Sequence, residues 1–62
     1  MTKEAYAEYV RKAFEKLPAE AQDFAARRAL KREVFAWDSL TLKQLDLLCG
    51  ATVAARLIFE EG

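Results

Sequence analysis

Residues 40–60 read LTLKQLDLLCGATVAARLIFE, the densest apolar stretch of the chain, and the remaining sequence is arranged around its burial. Its start is written locally. Thr41 as N-cap with Gln44 three residues on makes a capping box, and Leu40 ahead of the cap is placed to pack on Leu45 as a hydrophobic staple. The pattern predicts a helix from Leu42 to Glu60. It carries Leu42, Leu45, Leu48, Cys49, Val53, Leu57, Ile58 and Phe59, with Leu47 on the side away from Leu42, and Arg56 is the one charge between Asp46 and Glu60. Two short neighbours from the same chain cannot cover a helix that is apolar on nearly every side, so self-association is expected.

The small residues in the middle of that helix suggest where. Gly50 and Ala54 lie one turn apart, as do Ala51 and Ala55, which lets two helix backbones approach closely. Leu47, Gly50, Ala51, Ala54, Ala55 and Ile58 are therefore the expected self-association set. The competing reading is that the small residues make room for Trp37 or Phe14 inside one subunit. Glycine also costs about 1 kcal/mol relative to alanine within a helix, so a break at Gly50 is a second open point.

Ahead of that segment, residues 3–17 place Tyr6, Tyr9, Val10, Ala13, Phe14 and Leu17 on a single stripe, with charges on the remaining faces, and Thr2 is available as a cap. Pro18 ends that helix and suits the start of the next. The second helix is predicted over residues 19–37. Ala26, Leu30, Val34 and Trp37 form one stripe while Phe24 and Phe35 fall on the opposite side, beside Arg28 and Lys31. Either the helix breaks near Glu33 and brings these residues to one core, or one face serves the core and the other a partner. Asp38 and Ser39 make a connection short enough to keep the second and third helices adjacent.

At 62 residues the chain reads as one domain, in the size range where a single core is marginal without added support. One cysteine excludes an internal disulfide, and a chain with no histidine offers no plausible zinc set. No metal or other cofactor is expected. Ten basic and ten acidic side chains cancel, leaving no overall field to draw in nucleic acid or an anionic membrane. The opening residues lack the pattern of a secretory signal, and the longest uncharged run in the last helix, residues 47–55, is far short of the about 20 needed to cross a bilayer. A cytoplasmic protein is the default expectation.

Three constellations bear on function. RRALKR places Arg27, Arg28, Lys31 and Arg32 on one half of the second helix, flanking Phe24 and Phe35, a composition suited to an acidic protein partner or to stacked single-stranded bases. With Glu20 and Glu33 nearby and no net charge, a protein partner is the preferred reading. Catalysis has little to work with: there is no histidine base, no glycine-rich phosphate loop, and Cys49 lies in an apolar helix where burial leaves a thiol inert. The third is residues 40–60 themselves, which resemble the core of a helix-turn-helix, the DNA-reading unit of many bacterial regulators. The resemblance makes residues 42–49 the first helix, Gly50, Ala51 and Thr52 the turn, and residues 53–60 the recognition helix, and it implies duplex DNA as a ligand. Asp46 and Arg56 stand where that pattern has apolar residues, and Glu60 and Glu61 close the segment with negative charge.

Together these observations predict an all-α, three-helix up-down domain that associates as a homodimeric helical bundle. The expected function is a non-enzymatic protein–protein interaction or regulatory module, with Phe24, Arg27, Arg28, Lys31, Arg32 and Phe35 as its contact set. A small DNA-binding regulator is the alternative.

Overall fold

A computed structural model describes residues 2–32 and 34–60. They form three helices, α1 (Lys3–Glu15), α2 (Ala19–Leu30) and α3 (Leu42–Glu60), with one 3-10 turn at Trp37–Ser39 and no strand among the described residues. The domain is all-α, and α3 is the element on which both other helices pack. Tyr6, near the start of α1, meets Asp46, near the start of α3, while Phe24 of α2 meets Phe59 at the far end of α3.

The helix starts follow from their caps. Thr2 accepts from the Ala5 N–H at 3.1 Å. At α3 the box is closed in both directions: the Gln44 N–H donates to Thr41 Oγ1 at 3.1 Å, and the Thr41 N–H donates to Gln44 Oε1 at 2.8 Å. Leu40 and Leu45 are both buried in the core, as a staple requires. Pro18 sits one residue earlier than its expected place, as the extended N-cap of α2 rather than its first turn. The Gln22 side-chain amide donates to the Leu17 carbonyl at 3.0 Å, satisfying an acceptor that the end of α1 leaves open.

The second helix is shorter than predicted. It stops at Leu30, where Lys31 turns into the left-handed region (φ 60°, ψ 27°) and its N–H bonds back to the Arg27 carbonyl at 2.9 Å. No glycine or proline forces this end. The cause is tertiary: once the chain leaves the helix, Phe35 and Trp37 reach Phe14 of α1 and form a three-ring cluster of edge-to-face contacts, with centroids 5.1 to 5.9 Å apart. A continuous helix would have carried Phe35 away from that site. Of the expected stripe, Ala26 is buried and Leu30 and Trp37 pack on the core, but Val34 is 85% exposed. Glu33, the expected site of the break, and Glu61 lie outside the described residues.

In α3 the outcome is the reverse, since the helix runs unbroken through Gly50. The core it anchors is thin. Its largest fully buried side chains are Leu45, Leu48 and Val10, and five of its eleven apolar members are alanines: Ala21, Ala25 and Ala26 from α2, Ala51 and Ala55 from α3. Alanines on both helices let α2 and α3 lie close together, and the inward small residues of α3 share one core with Phe14, against which Trp37 packs. Thr52 is buried among them with its hydroxyl unpartnered.

Candidate functional site

The expected contact set on the second helix is divided by the end of α2. Phe35 leaves it entirely and joins the Phe14–Trp37 cluster. Phe24 stays on α2, half-buried, with its ring edge against Phe59 at 5.7 Å and the Arg28 guanidinium 5.9 Å above its centroid. Exposed cation–π pairs of this kind contribute about 0.5–1 kcal/mol. Arg27 and Arg28 share a shallow groove with Glu20, Asp23 and Phe24, so the groove carries both signs of charge. Lys31 and Arg32 follow on the exposed turn beyond α2. The surface is a mixed-charge corner around one ring, not a basic strip between two.

The self-association set is likewise divided, and the division is informative. Ala51 and Ala55 are buried against the rest of the subunit and are unavailable to a partner. Gly50 faces outward, and a Cβ built there would find nothing within 4 Å. Leu47 and Ile58 are about half exposed, and so are Val53 and Leu57, which the sequence reading left out of the set. At 100° per residue these four side chains flank Gly50 and Ala54 on the side opposite Leu45, Leu48 and Ala55. From Leu47 to Ile58 that outward face carries no charged side chain. The signal was present in the sequence: Gly50, Val53, Ala54 and Leu57 recur at helical spacing, but Ala51 and Ala55 recur equally well, and only the position of α2 tells the two stripes apart.

Two further features join parts of the chain that are distant in sequence. The Tyr6 hydroxyl donates to Asp46 Oδ1 at 2.6 Å. That bond, followed by desolvation and the neighbouring Cys49 thiol, holds the phenol's pKa above its ordinary value of 10.0. Asp46 is thus engaged by α1, and no bridge to Arg56 is found among the described residues. A cleft of about 370 Å³ lies between α1 and the 3-10 turn, lined by Lys3, Glu4, Ala7, Glu8, Arg11, Trp37 and Asp38. Its charges are of both signs, and Arg11 and Lys12 are already drawn to Glu8 at 3.5 and 3.9 Å.

The helix-turn-helix geometry is not formed. Residues 50–52, the expected turn, are helical, so residues 53–60 prolong the axis of residues 42–49 instead of crossing it. Among the described residues no group of acids and the thiol is arranged to hold a metal, and no helix is long and apolar enough to cross a membrane. Compared with protein-family models, curated proteins and solved structures, the chain matches none.

Proposed function

We propose that this chain is a non-enzymatic protein–protein interaction module that works as a homodimer, joined through the outward face of α3. The observation that carries the reading is the set Leu47, Gly50, Val53, Ala54, Leu57 and Ile58, an apolar face on the helix that also anchors a thin core. A domain of this size with alanine for much of its interior gains support from a second copy. The Phe24–Arg28 corner, with Lys31 and Arg32 beside it, is then left for another protein that presents acidic side chains to the cations and an apolar group to the ring. A cytoplasmic setting suits a module of this type with a single thiol.

Light scattering from micromolar concentration upward tests the reading. The wild type is expected to approach twice the monomer mass, and Leu57→Glu, which alters an exposed side chain, is expected to remain monomeric with unchanged helical content. A wild type of monomer mass throughout would overturn the homodimer. Duplex DNA titrated at two salt concentrations is expected to show no strong binding; tight association that weakens steeply with salt would move the function to nucleic acid.

A further inference from the structure

We infer that the two copies of α3 pack antiparallel, crossing at Gly50 and Ala54, with Lys43 of each copy set against the C-terminal end of its partner's helix at Glu60. This inference rests on the reading of α3 as the subunit interface.

On the α3 wheel, Lys43 lies on the same outward line as Leu47, Gly50, Ala54 and Leu57. It is the cation of the first helical turn, and the last turn carries Glu60; α3 has no acid in its first turn and no base in its last. Within one subunit both charges stand at the wrong ends of the helix dipole, which favours anions at the N-terminus and cations at the C-terminus. A parallel pair would keep that mismatch and bring Lys43 against its own copy. An antiparallel pair removes both problems. Matching Gly50 to Ala54 of the second copy brings Lys43 to the favourable pole of the neighbouring helix, where Glu60 stands at the edge of the seam, about 100° round the helix from the Lys43 line and within reach of the long lysine side chain. The arrangement is isologous and closes on itself as a dimer. Asp46, which the same wheel puts beside Leu57 and Gly50, is exposed and accepts a hydrogen bond from the Tyr6 hydroxyl of α1 at 2.6 Å, so its carboxylate is engaged on the α1 side of that face.

A spin label on Leu42→Cys, an exposed position at the start of α3 that leaves Lys43 and Glu60 in place, in a Cys49→Ala background, reads the orientation while light scattering on the same sample reads the mass. An antiparallel pair crossing at Gly50 and Ala54 places the two labelled sites about 30 Å apart along the axis, from 1.5 Å of rise per residue. A parallel pair places them about 10 Å apart, the interaxial spacing. Dimer mass with the long distance is the expected result. Dimer mass with the short distance would overturn the antiparallel arrangement and leave the interface standing, any other distance would place the interface elsewhere, and a monomer mass would overturn interface and orientation together. Charge reversal gives a readout that leaves Cys49 in place. Lys43→Glu and Glu60→Lys are each expected to weaken dimerisation by about tenfold at low salt, and the double variant to restore it. Single reversals without effect would overturn the pairing.

Discussion

Among the described residues, Lys31 is the non-glycine residue with a positive φ. Its left-handed conformation ends α2, a position where glycine is the usual occupant and where other residues carry about 1–2 kcal/mol of steric cost. Lys31→Gly is therefore expected to stabilise the domain by about 0.5–1 kcal/mol, after the added freedom of the unfolded chain is subtracted, as measured by urea denaturation. Tyr6 gives a second test at this scale. Tyr6→Phe removes the hydrogen bond to Asp46 and is expected to cost about 0.5–1 kcal/mol, the low end for a bond near solvent. The same bond sets a pH dependence. Because the folded state holds the phenolic proton more tightly than the unfolded chain does, its contribution is complete below pH 10.0 and declines as pH rises beyond it. The wild type is expected to lose more stability than Tyr6→Phe above that pH. Thr2, Thr41 and Gln44 could be read as caps because their partners lie three residues away; nothing in the sequence announces that Tyr6 pairs with a carboxylate 40 positions on.

Among the elements, α1 and α3 match their periodic patterns closely and α2 does not, for a reason that lies outside it. Helical spacing continues past Leu30, and no breaker residue contradicts it; the burial of Phe35 and Trp37 against Phe14 outweighs the local preference. In α3 the local cost of Gly50 is outweighed in the other direction, because Leu45, Leu48, Ala51 and Ala55 hold both halves of the helix to one core. The small residues fall into two stripes, Ala51 and Ala55 buried in the core and Gly50 facing open space. That division predicts opposite responses to the same kind of change. Ala55→Leu is expected to overpack the α2–α3 seam and destabilise by about 1–3 kcal/mol. Gly50→Ala, placed where there is open space, is expected to stabilise the dilute monomer by about 0.5–1 kcal/mol in thermal or urea unfolding.

For the whole molecule, the helix class, the number of helices and the central place of α3 were legible in the sequence, because each rests on periodicity and length. The candidate contact surface was legible only in part. A wheel drawn on an uninterrupted second helix put Phe24 and Phe35 together, and the early end of α2 sends them to different clusters. A core with so few large side chains gives the isolated subunit little margin. If a second copy supplies the remainder, the unfolding midpoint rises with protein concentration, as mass action requires of a dimer that unfolds to monomers.

The ring cluster also provides an intrinsic optical probe. Trp37 is the sole indole in the chain, and its ring neighbours are Phe14 and Phe35, so its emission follows the docking of residues 34–39 onto α1. The α2–α3 seam is lined by alanine and is spectroscopically silent at that wavelength, whereas far-ultraviolet dichroism reports all three helices. Should fluorescence and dichroism trace different curves on heating, the loop would have undocked before the helices separated; coincident curves would mean that undocking and helix melting are one event.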